Sequence, residues 1–93
     1  MLHPKITELI MEQVRREFYS SYLYLDMANY YYDNTLNGFG NWFDIQTKEE
    51  YAHAMLFLQF LRNNGERVTL GALAAPDTEY KSFTDPLIAA LEH

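Results

Sequence analysis

Apolar residues return every three or four positions along the first third of the chain. Ile6, Leu9, Ile10, Val14, Phe18, Tyr24 and Leu25 share one helical face with Gln13, Glu17 and Ser21. Lys5, Glu8, Glu12, Arg15, Arg16 and Asp26 fall largely on other faces. Pro4 suits a first helical turn, where its missing N–H has no partner to lose. The pattern predicts a helix over about residues 4–32, closed by the turn-forming Asp33, Asn34 and Thr35. A second face of the same period predicts a helix over about 37–64. It carries Phe39, Trp42, Phe43, Gln46, Glu50, His53, Ala54, Phe57, Leu58 and Leu61, opens on Asn37-Gly38 and ends on Asn63, Asn64 and Gly65. The connection is short, so the two helices are expected to be antiparallel neighbours, each roughly 40 Å long.

Periodicity lapses over residues 65–84, where Arg67 to Leu70 reads as locally extended and Pro76, Asp77 and Thr78 as a turn. A stretch of this length without structure of its own fits a crossover. Thr84 or Asp85 before Pro86 supplies an N-cap and first turn, and a third helix begins over 85–93. The expected fold class is all-α: an antiparallel helical hairpin, a long crossover and the start of a third helix. Residues 1–93 form a single partial domain.

Three ionisable side chains, Glu17, Glu50 and His53, interrupt the apolar faces. An ionised carboxylate turned into a helix-packing seam costs several kcal/mol unless something compensates it, and a bound cation is the usual compensation. Antiparallel pairing about a turn near residue 35 matches positions whose numbers sum to about 70, which sets Glu17 opposite His53, with Glu50 one turn from His53. Two carboxylates and an imidazole at one level form a ligand set for iron, manganese or zinc. The bland alternative, snorkelling glutamates beside a satisfied core histidine, explains any one of these positions more easily than all three together.

Composition narrows the functions. Seven Lys and Arg against thirteen Asp and Glu leave a net charge of −6, which opposes nucleic acid and anionic lipid and favours cations. The chain has no cysteine, which excludes a disulfide framework and a thiol nucleophile. No apolar run approaches a membrane span and no signal peptide is visible, so the expected location is cytoplasmic. A chain of 93 residues that is 48% hydrophobic, arranged as a helix pair, is expected to self-associate.

At these residues the chain resembles bacterial non-haem ferritin. The resemblance runs through Glu17-Phe-Tyr-Ser-Ser-Tyr-Leu-Tyr-Leu25 and Lys48-Glu-Glu-Tyr-Ala-His53, and continues through Asn37-Gly38, the crossover and the third-helix start. It implies that the hairpin is the first two helices of a four-helix bundle. Glu17, Glu50 and His53 would then be ligands of the first iron of a ferroxidase centre, with Glu50 bridging to a second. It further implies that Tyr24 is an electron-supplying tyrosine beside the centre, that Glu49 faces an auxiliary iron site, and that the partner is self, in a homo-oligomeric shell or a dimer of hairpins. Iron would be oxidised from Fe(II) to Fe(III) for storage and detoxification, with zinc or manganese as possible substitutes. Ala52 stands where bacterioferritin has its haem-ligating methionine, so no haem is expected.

His3, Glu12 and Gln46 read as structural or solvent-facing, and Trp42, Tyr30 to Tyr32, Met11, Met27 and Met55 as packing or interface residues. The third-helix ligand of the family would follow His93, with Glu92 one position short. The expectation is therefore of a truncated, cleaved or split subunit, its centre completed by further helices or a second copy. A self-association module without metal chemistry and a metal-binding scaffold without turnover are the competing readings.

Overall fold

The computed structural model describes residues 2–76 and 79–93. Helix α1 spans Pro4–Asp33, α2 Asn37–Asn63 and α3 Asp85–Glu92, and no strand occurs among the described residues. The architecture is all-α. The turn expected at Pro76 to Thr78 falls partly on Asp77 and Thr78, which lie outside the described residues.

Local chemistry sets the helix ends. The His3 Nδ1 accepts the Lys5 N–H at 3.1 Å ahead of Pro4 in the first turn. Both long helices close in the same way, with a residue in the left-handed region just after the cap. At α2 this is Gly65 (φ +71°), with Glu66 N–H donating to the Leu61 carbonyl (3.0 Å) and Gly65 N–H to that of Arg62 (3.1 Å). At α1 the same bonds run from Leu36 to Tyr31 (2.8 Å) and from Thr35 to Tyr32 (3.0 Å), but the left-handed residue is Thr35 at φ 60°. A β-branched side chain disfavours this conformation. The hairpin geometry holds it there.

α3 departs from the expected cap. Thr84 makes no side-chain cap bond. Asp85 instead turns back to accept the N–H of Lys81 (2.8 Å), the N–H of Ser82 (3.1 Å) and the Ser82 hydroxyl (2.9 Å). The Lys81 N–H, the Ser82 hydroxyl and the Ser82 N–H hold its carboxyl below the usual carboxylate range.

Contacts across the hairpin keep a near-constant sum of residue numbers. The Phe18 and Tyr51 ring centroids lie 5.7 Å apart and those of Tyr31 and Phe39 5.2 Å, while the Ser21 hydroxyl donates to the Thr47 carbonyl at 2.9 Å. Two apolar clusters hold the helices together. One contains Leu23, Met27, Ala28, Tyr31 and Phe43, with Leu87, Ala89 and Ala90 of α3 packed against it. The other contains Val14, Leu58 and Leu61, with Val68 of the crossover against it. The crossover returns along α1, and its Tyr80 hydroxyl reaches Asp26 (3.1 Å). At the turn, a Cβ on Gly40 would come within 2.8 Å of the Tyr32 ring, so α2 approaches that ring closely because glycine is there.

The apolar stripes are only partly covered. Ile6, Leu9, Leu25, Phe39, Trp42 and Phe57 belong to the predicted faces yet are exposed, as are Leu56 and Phe60. Periodicity locates an apolar face, whereas covering it takes a neighbour, and α3 reaches only one end of the hairpin. The molecule is a rod of 49 × 20 × 19 Å, and no helix of the described residues is long and apolar enough to cross a membrane.

Candidate metal centre

Glu17 lies near the middle of α1 and Glu50 and His53 near the middle of α2. One ligating atom from each falls within 4.8 Å of the others. The His53 Nδ1 stands 3.8 Å from Glu17 Oε2 and 3.8 Å from Glu50 Oε1. Both carboxylates are largely covered, while the imidazole is about half exposed. The hairpin register supplies Glu17 opposite His53, and the helical repeat supplies Glu50 one turn from it.

The electrostatics mark this cluster off from ordinary surface charge. Among the described residues no Lys or Arg pairs with Glu17 or Glu50; the nearby Arg15 and Arg16 are paired with Glu12. Glu17 has instead the Gln13 amide, donating at 2.8 Å from one helical turn away. Burial, and then the facing Glu17 carboxylate, push Glu50 up to about 7. Glu17 moves the other way, held below its ordinary value first by the hydrogen bond it shares with Glu50 and then by Gln13. Two facing carboxylate charges would repel, which favours a proton on Glu50 below about pH 7. A cation placed among the three side chains can take that proton's place, because hard carboxylate oxygens and a neutral imidazole are what a first-row divalent ion accepts. The residues present fit such an ion.

Tyr24 borders a cavity of about 440 Å³ on the Glu17 and Glu50 side of the cluster, with Gln13, Ser20 and His93. Burial and the Glu50 and Glu17 charges raise its phenol above the ordinary value. Glu49 is exposed and lies outside the cluster. Two members of the site were not singled out from the sequence. The four-residue spacing of Gln13 and Glu17 carried a signal for the first. His93 had none: the path of the crossover places it against Ser20, with its ring 5.9 Å from that of Tyr24.

With this geometry in view, relatives are informative. Residues 7–93 match the Ferritin-like domain. A bacterial non-heme ferritin of Staphylococcus saprophyticus is 33% identical over 85 residues, 91% of this chain and 51% of that protein. A bacterial non-heme ferritin of Campylobacter jejuni is 31% identical over 93 residues, 100% of this chain and 56% of that protein. Among solved structures, a humanized archaeal ferritin superposes with a TM-score of 0.95 at 36% identity, over 100% of this chain and 57% of its own. An open pore ferritin from Archaeoglobus fulgidus gives 0.92 at 37%, over 98% of this chain and 56% of its own. The chain spans about half the length of the curated relatives it matches. By sequence match across nearly its whole length, it belongs to the ferritin-like domain family.

Proposed function

We propose that this chain contributes the first-iron half of a ferroxidase centre, serving cytoplasmic iron storage and detoxification in a homo-oligomer. The observation that carries the proposal is the juxtaposition of Glu17, Glu50 and His53 within 4.8 Å, without a basic partner for either carboxylate among the described residues. Membership of the ferritin-like family supports iron as the ion. Similar proteins named bacterial non-heme ferritin support storage as the purpose.

Fe(II) is the substrate. Glu17 and Glu50 supply oxygen and His53 supplies nitrogen, and the ion displaces the proton held between the carboxylates. Gln13 fixes the Glu17 carboxylate in place, so less ordering remains to be done on binding. Anionic oxygens stabilise Fe(III) more than Fe(II), which lowers the potential and favours loss of an electron to dioxygen or peroxide. Glu50 is the bridging carboxylate to a second ion, whose remaining ligands come from helices outside these residues or from a second copy. Glu49 is the outer carboxylate facing an auxiliary ion, and Tyr24 supplies an electron.

Anaerobic titration with Fe(II), followed by calorimetry and by proton release into a weak buffer, tests the site. Binding with proton uptake by the buffer in the unaltered chain, and loss of both signals in Glu17→Ala and His53→Ala, is the expected result. Equal binding in all three proteins would assign the iron elsewhere. A second reading, a metal-binding or self-associating scaffold without turnover, is favoured by the exposed Leu56, Phe57 and Phe60 face beside His53. Bound iron that oxygen oxidises no faster than free Fe(II) would select it.

A further inference from the structure

Tyr24 is one end of a continuous run of aromatic rings. Its ring centroid lies 6.0 Å from that of Phe43, which stacks on Tyr31 at 5.6 Å with planes 16° apart. Tyr31 meets Tyr30 edge-on at 5.5 Å, and Tyr30 meets Tyr80 at 5.1 Å. The run starts on α1, passes through Phe43 of α2, returns to α1 at Tyr31 and Tyr30, and ends on the crossover. Tyr31 and Phe43 are fully buried within it.

The hydroxyl at the far end differs from those before it. Losing an electron makes a phenol a strong acid, so a tyrosine is oxidised most readily where a base stands ready to accept its proton. The Tyr80 hydroxyl donates to Asp26 Oδ2 at 3.1 Å, whereas that of Tyr31 donates to the Phe83 carbonyl, a poor proton acceptor. Among the described residues the other tyrosine donating to a carboxylate is Tyr32, to Asp44 at 2.9 Å, and Tyr32 lies outside the run just traced. We propose that Tyr80, with Asp26 as its proton acceptor, is the terminal hole acceptor of an aromatic relay that starts at Tyr24 beside the metal centre.

The source of the oxidising equivalent rests on the ferroxidase reading above. Hydrogen peroxide, supplied directly or formed when two Fe(II) reduce dioxygen, takes one electron from Fe(II) and one from the Tyr24 phenol. The products are Fe(III), a neutral tyrosyl, water and hydroxide. The relay then carries one electron from Tyr80 to Tyr24: the Tyr80 proton passes to Asp26, and Tyr24 regains a proton from solvent in its cavity. Phe43, Tyr31 and Tyr30 mediate between Tyr24 and Tyr80 and keep their electrons and hydroxyl protons, since Tyr31 has only a carbonyl to donate to. The relay removes a radical from beside Glu17 and Glu50 and leaves it on the crossover. Trp42, edge-on to Phe43 at 4.9 Å and half exposed, is the competing destination.

The test separates the relay from the iron chemistry. The chain has no cysteine, so Arg16→Cys gives a single attachment point for a ruthenium polypyridyl photo-oxidant at the rim of the Tyr24 cavity. Flash oxidation of the metal-free protein, followed by spin trapping and peptide mass spectrometry, reports where the hole settles. The expected adduct is on Tyr80. Tyr80→Phe, which keeps the ring, and Asp26→Asn, which removes the proton acceptor, should each abolish it and move the adduct to Tyr24 or Trp42. An adduct on Trp42, Tyr19 or Tyr24 in the protein with Tyr80 and Asp26 intact would overturn the relay, as would a Tyr80 adduct that survives Asp26→Asn. Mixing Fe(II)-loaded protein with hydrogen peroxide is the second arm. Tyr80 labelling after the flash with none after peroxide leaves the relay standing and overturns the ferroxidase source of its oxidant.

Discussion

A single shared proton accounts for much of the behaviour expected of Glu17 and Glu50. Glu50, pushed up to about 7, holds that proton more tightly in the folded chain than in the unfolded one. For a carboxyl raised in this way the associated stability is fully present below its ordinary value of 4.5 and is lost as pH rises through about 7. Glu17, held low, contributes in the opposite sense, with stability that is lost only in acid. The metal-free protein should therefore lose of order 2 kcal/mol between about pH 5 and about pH 8, measured by urea unfolding in the presence of a chelator. Glu50→Gln, which cannot ionise, should flatten that slope. An equally steep slope in the variant would place the titration elsewhere. A cation bound at the proposed site would displace the same proton, so its affinity should climb with pH toward about 7, and this contribution should then level off.

At the scale of helices, the two closures of the hairpin make a controlled comparison. Gly65 and Thr35 occupy equivalent left-handed positions after α2 and α1, and the threonine is the more strained of the two. Thr35→Gly relieves about 1–2 kcal/mol of conformational strain and costs roughly 0.5–1 kcal/mol of chain entropy. The expected outcome is a gain of a few tenths to about 1 kcal/mol in unfolding free energy, read as a raised denaturant midpoint, and a loss of stability would show that Thr35 is held there by contacts worth more than the strain. Phe43 lies at the opposite extreme. It is fully buried against Tyr24, Tyr31 and Trp42, and Phe43→Ala should cost about 3–5 kcal/mol in the same assay.

The helices, their antiparallel register and the meeting of Glu17 with His53 were legible because each depends on local periodicity and a short turn. The cap of α3 was not: Thr84 stands at the N-cap without a side-chain bond, and Asp85 turns back to the preceding turn, whose fold the sequence pattern does not specify. Nor was the placement of Tyr80 beside Asp26 or of His93 beside Ser20. Those contacts span 54 and 73 residues across a crossover without periodicity of its own.

The whole molecule is a rod with an apolar face left open to solvent. Ile10, Leu56, Phe57 and Phe60 line a cavity of about 570 Å³ next to Glu17 and His53, and it opens to solvent. Apolar surface beside the proposed metal centre favours a covering partner, through the hydrophobic effect and through the exclusion of water from a bound ion. Phe60→Glu places a charge on that face away from the three candidate ligands, and sedimentation velocity should show it shifting the chain toward monomer. Unchanged association would assign the interface to another surface.

Iron turnover is the claim on which the rest depends. The most direct measurement is anaerobic loading with Fe(II) followed by rapid mixing with oxygen, monitored by ferric-oxo absorption in the near ultraviolet. It is made on the unaltered chain, on Glu17→Ala and on His53→Ala, with partner helices present if the chain needs them. The account predicts a rapid rise in the unaltered protein and its loss in both variants. A rise of equal rate and amplitude in all three would contradict it.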